Sequence, residues 1–108
     1  MIIRYSDAFK GQLKRLSHRY RRIRSDLQPL LDRLSAGETP GDRIQVPNDV
    51  LYKVRVRNTD AARGKRGGYR IIYYVQAECE ILLVAIYSKS DQGDIAHAEL
   101  LDIIDPHD

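Results

Sequence analysis

The chain has few of the features that would place it outside a reducing, aqueous compartment. It has one cysteine, Cys79, which cannot close an internal disulfide, so a cytoplasmic setting is expected. No run approaches the roughly 20 apolar residues that cross a bilayer, so no membrane partner is expected. The opening "MIIRYSDAF" lacks the long apolar core of a signal peptide. There is no internal repeat and no low-complexity segment. His18, His97 and His107 are scattered, with no cysteine or acid at ligand spacing, which argues against a metal site; no cofactor is expected. Cys79 sits between Glu78 and Glu80, a poor setting for a nucleophile.

What remains is a basic, globular chain of 108 residues, a length that fits one domain over 1–108. Its hydrophobic fraction, 43%, is enough for a core. The net charge of +3 hides a strong asymmetry. Residues 1–42 carry nine Lys/Arg against five acids, and residues 43–70 carry eight against two. Residues 71–108 carry one Lys against eight acids. Basic character concentrated in the first two thirds favours a nucleic-acid or other polyanionic partner. An ordinary solvated surface would give the same count.

The hydrophobic period changes once along the chain. "IIRY" is short and β-prone, and Ser6 and Asp7 behind it are helix-start residues. Phe9, Leu13, Leu16 and Tyr20 recur at helical spacing, and Leu27, Leu30, Leu31 and Leu34 continue a second helical stripe. Ser25 and Gln28 resemble a capping box; a start near Ser25 makes Pro29 least costly, and Gly37 fits the stop. "GETPGDRIQVPND" reads as a loop. Beyond it the period becomes two, which predicts strands over 51–57, 69–76 and 80–88, the last two joined by a tight turn. "DIAHAELLDII" predicts a short C-terminal helix. The expected fold is α+β, with two N-terminal helices packed on one face of a small, mainly antiparallel twisted sheet.

In "LYKVRVRN" every second residue is cationic. Alternation places Tyr52, Val54 and Val56 toward the helices and Lys53, Arg55 and Arg57 away from them. In the next strand Tyr69, Ile71, Tyr73 and Val75 make the core set, so Arg70 joins the basic face with Ile72 and Tyr74. Between these strands, "NTDAARGKRGGYR" sets Arg63, Lys65 and Arg66 among glycines that permit close approach of the backbone to a ligand. A Walker loop needs a glycine ahead of the Gly64–Lys65 pair and Ser or Thr behind it; Thr59 and Arg66 stand there instead. A basic hairpin tip gripping phosphate backbone is the expectation, beside the blander reading of an exposed loop.

"LYKVRVRN…GKRGGYRIIYYV…ILLVAIYSKSDQGDI", behind a two-helix segment, resembles the RelE/ParE toxin superfamily of bacterial toxin–antitoxin systems, and most of all its HigB-type members. The resemblance covers nearly the whole chain. It implies a RelE-like microbial RNase fold and a metal-independent endoribonuclease that cuts mRNA in the ribosomal A site. The ParE branch implies a gyrase poison instead, and a third outcome is an inactive relative that only binds RNA or antitoxin. The implied partners are mRNA, the ribosome and a cognate antitoxin, a HigA- or RelB-like DNA-binding protein.

Carried over residue by residue, the family's cleaving cations fall on Lys53, Arg55, Arg70 and Lys89. Guanidinium forks suit phosphate clamping, which assigns that role to Arg55 and Arg70. Lys53, crowded by both, is the better candidate for proton transfer. Arg57, Arg63, Lys65 and Arg66 would follow the RNA backbone. Some RelE members carry a tyrosine a few residues beyond the position of Lys89; here Ile95 stands there, with His97 nearby. That role is therefore not transferred, and Tyr74 and Tyr87 become candidates to stack on a base or pass a proton. If these cations meet RNA, affinity falls steeply between about 50 and 200 mM salt. A flat titration by filter binding would place them off the contact.

Overall fold

The computed structural model describes residues 1–60, 68–88, 100 and 103. The elements in chain order are β1 (Ile2–Tyr5), α1 (Asp7–Arg19), α2 (Ile23–Ser35), β2 (Asp42–Ile44), β3 (Leu51–Val56), β4 (Tyr69–Ala77) and β5 (Glu80–Ser88). The five strands form one mixed sheet in the order β1-β5-β4-β3-β2. β1 runs parallel to β5, and the other neighbours are antiparallel. The architecture is α+β, with helices against one face of the sheet.

α1 begins where the sequence says it should. Ser6 is the N-cap, its Oγ accepting from the Phe9 amide at 2.9 Å. The same hydroxyl donates to the Val84 carbonyl at 2.8 Å, and the Ser6 amide donates to Leu83 at 3.0 Å. One residue thus starts the helix and ties it to β5. The expected stripe faces the sheet: Phe9 and Tyr20 are buried, and Leu13 and Leu16 pack against the same cluster.

α2 departs from expectation at its start. It opens at Ile23 with Arg22 at the cap and no side-chain cap bond, so the Ser25–Gln28 box does not form. Ser25 Oγ donates back to the Arg22 carbonyl, and Gln28 Nε2 donates to Asp32. Residues far along the chain supply the missing partners: Asp60 accepts from the Arg22 amide, and Asp26 accepts from both the amide and hydroxyl of Thr59. The earlier start leaves Pro29 inside the helix. That removes the bond to the Ser25 carbonyl and costs about 3 kcal/mol in an exposed helix. Burial of Ile23, Leu27, Leu30 and Leu34 along one side offsets it, at roughly 1.5–3 kcal/mol for each fully buried aliphatic side chain. The end is as expected. Gly37 has φ +90°, its amide bonds to Leu34 and that of Glu38 to Arg33, each at 3.0 Å, a Schellman closure.

The stretch read as a plain loop contains β2. Three residues are too few to show a period of two, and pairing with β3 alone makes them a strand. Its entry is pinned twice. The Tyr73 hydroxyl donates to the Pro40 carbonyl, and Gly41, at φ +102°, lies against the backbone of Lys53, where a Cβ would collide with the carbonyl oxygen. The three longer strands match expectation to within one residue. β4 and β5 join through Glu78 and Cys79, with Ala77 opposite Glu80. Between Ile72 and Tyr73 the partner jumps from Ala85 to Leu83, a bulge that leaves Val84 as the extra residue.

The two faces of the sheet carry separate cores. Tyr52, Val54 and Val56 with Tyr69, Ile71, Tyr73 and Val75 belong to the helix-side cluster, as the alternation requires. Leu51, Ile72, Val84, Ala85 and Tyr87 form the second cluster, joined by Leu100. Leu100 and Ile103 are helical; the rest of the expected C-terminal helix lies outside the described residues.

Burial, reinforced by Asp26 and Asp60, raises the Tyr69 phenol well above its ordinary range; burial and the neighbouring Tyr52 do the same for Tyr73. In the unfolded chain both phenols ionise near pH 10, whereas the folded chain keeps them protonated. Stability is therefore full below that pH and lost as pH rises above it. Urea unfolding should show a midpoint that falls between about pH 10 and 12, and less so in Tyr73→Phe.

Candidate nucleic-acid interface

The face turned away from the helices carries the cations. The β3–β4–β5 register sets Arg55 opposite Arg70 and Arg70 opposite Tyr87, in one row across three strands. Lys53, two residues along β3, stands opposite Ile72. Neighbouring strands lie about 4.8 Å apart, so the three cationic side chains leave the sheet as one patch. Like charges placed directly opposite oppose folding. The apolar second cluster beside them, including Leu51 and Ile72, supplies the compensating burial.

Exposure divides the patch. Arg55 is exposed, while Lys53 and Arg70 are half-buried. The Arg70 Nη1 atom is buried and has no hydrogen-bond partner among the described residues. A buried N–H of a charged group without an acceptor costs about 1–3 kcal/mol or more. The residue as a whole is half-buried, so the remainder of the guanidinium fork is the part open to an anion.

Other expected site residues fare differently. Arg57 is exposed and lies beyond the end of β3, so only two of the expected triplet belong to the strand. Tyr74 is half-buried beside the second cluster, opposite Leu51. Tyr87 does sit on the cationic face, but it is 2% exposed and packed within the second cluster, so its ring is no open platform for a base. Arg63, Lys65, Arg66, Lys89 and His97 lie outside the described residues.

Two features had no signal in the sequence reading. Asp42, on β2, is opposite Lys53 and brings a carboxylate to the same face; it was hidden because its segment reads as loop. β1 pairs with β5 only as far as Leu83, and past that point a cleft of about 250 Å³ opens between α1 and β5. Gln12 accepts there from the Ile86 amide, and Arg15 and Arg19 line the wall. Among the described residues, no His, Cys, Asp or Glu group could hold a metal ion, and no helix is long and apolar enough to cross a membrane.

The chain thus combines a small mixed sheet with two helices on one face and cations on the other. A family model described as the ParE toxin of the type II toxin–antitoxin system parDE matches residues 3–93, and the chain belongs to that family, within the RelE/ParE superfamily. It is thus the toxin of a type II system, with a cognate antitoxin as partner. No curated protein matches the chain.

A buried guanidinium N–H with no partner among the described residues predicts that Arg70 is held against stability. Arg70→Leu should unfold in urea at an equal or higher midpoint, with a gain on the order of 1 kcal/mol. A loss of that size would mean the guanidinium is already well satisfied.

Proposed function

We propose that this toxin is a HigB-type, metal-independent endoribonuclease that cleaves mRNA in the ribosomal A site and so stops translation. The single observation that carries the reading is the Arg55–Arg70 row with Lys53 beside it and a buried Arg70 N–H without a partner among the described residues. Attack of a ribose 2′-hydroxyl on the adjacent phosphate concentrates negative charge on the phosphoryl oxygens. Preplaced guanidiniums stabilise that charge more than the ground state, which is what lowers a barrier. Arg55 and Arg70 clamp the phosphate, Lys53 takes part in proton transfer, and Lys89 is the fourth cation. Arg57, Arg63, Lys65 and Arg66 follow the backbone, and Tyr74 is the remaining candidate for base stacking. The reading goes with one RelE-like RNase domain over 1–108 closed by a short C-terminal helix, acting in the bacterial cytoplasm. Its antitoxin is HigA- or RelB-like and binds DNA.

The family's description favours a second reading, a gyrase poison of the ParE kind. One induction experiment separates the two. Mapping mRNA 5′ ends in parallel with gyrase-linked DNA breaks should give in-frame cuts, reduced about 10²–10³-fold by Arg70→Ala. Trapped gyrase with intact mRNA would replace the nuclease by the poison. Unimpaired growth would leave only a binding role.

A further inference from the structure

We propose that Asp42 is the general base of the cleavage reaction, acting as a couple with Lys53; this rests on the nuclease reading above. Cross-strand register pairs Asp42 with Lys53, and partners directly opposite in an antiparallel pair share a face with Cβ atoms about 5 Å apart. The face is the cationic one, because Ile44, two residues on, pairs with Leu51 and packs with the second cluster. Diagonal neighbours lie roughly 7–8 Å apart, which sets Asp42 one step from the phosphate-clamping Arg55. Asp42 is exposed, so its carboxylate can reach a substrate.

Its placement is built rather than incidental. Among the described residues β2 is an edge strand with β3 as its sheet neighbour. The buried Tyr73 hydroxyl holds the Pro40 carbonyl, and the Tyr73 ring stacks on Tyr52 at 5.4 Å. Gly41 then packs on the Lys53 backbone itself. Of the two residues before the carboxylate, Pro40 is thus held by β4 and Gly41 packs on the strand that carries the lysine. The charged groups facing Asp42 from that strand are Lys53 and Arg55; Arg43 pairs with Tyr52 on the other face.

The step balances without a further reactant. The Asp42 carboxylate takes the proton of the 2′-hydroxyl as O2′ bonds to phosphorus. The P–O5′ bond breaks, its electron pair leaves on O5′, and O5′ takes a proton from the Lys53 ammonium. The products are a 2′,3′-cyclic phosphate and a 5′-hydroxyl. Transfer of the proton from Asp42 to the Lys53 amine, directly or through water, restores both groups.

Single-turnover cleavage of mRNA on programmed ribosomes, run against pH with the full chain, tests the assignment. Asp42→Asn should slow cleavage by about 10²–10⁴-fold, the usual contribution of a general base. It should leave ribosome affinity within about twofold and make the residual rate climb with hydroxide, while Asp42→Glu restores most of the rate. An Asn variant that cleaves at the wild-type rate with the wild-type pH profile overturns the proposal, as does one that changes affinity alone. Wild-type protein that leaves mRNA intact would instead bring down the nuclease reading, and Asp42 with it. Circular dichroism of each variant separates loss of chemistry from loss of fold.

Discussion

The register between β3 and β4 is the constraint on which the rest of the molecule depends. Pairing Val54 with Ile71 and Arg55 with Arg70 puts the apolar half of each strand under the helices and the cationic half on the other side. A slip of one residue would send the arginines into the helix-side core, where an unpaired charge is prohibitive. The same register aligns Tyr52 with Tyr73, whose stacked rings and hydroxyl bond anchor the approach to β2. Core and candidate site are therefore two faces of one pairing decision.

That decision carries a cost which the fold meets elsewhere. Two guanidiniums opposite each other, one with a buried N–H that has no partner among the described residues, oppose folding. Apolar packing on both faces of β5 compensates, because that strand lies between β1 and β4 and contributes to both clusters. The bulge at Val84 helps, since it turns two successive apolar residues, Val84 and Ala85, into the second cluster.

Much of this was legible in the sequence, for local reasons. Ser6 caps α1, Gly37 closes α2, and the alternation of 51–56 and 69–77 sets the faces, because capping, left-handed turns and period two depend on a few adjacent residues. The start of α2 has no local signal, because its partners, Thr59 and Asp60, are more than thirty residues away. β2 leaves no period in the sequence, because three residues become a strand only when β3 lies beside them. The burial of Tyr87 is not local either: its strand position says which face it takes, not how much packs over it.

The amino-acid order by itself determined the α+β class, the segregation of charge to one strand face and the likeness to a family of toxins. Tertiary structure decided which of those charges meet. It set Arg55 directly across from Arg70, left an N–H of Arg70 without an acceptor among the described residues, and put Asp42 across from Lys53. The physical reason is that strand pairing joins residues far apart in the chain at about 5 Å, and no local pattern encodes that distance.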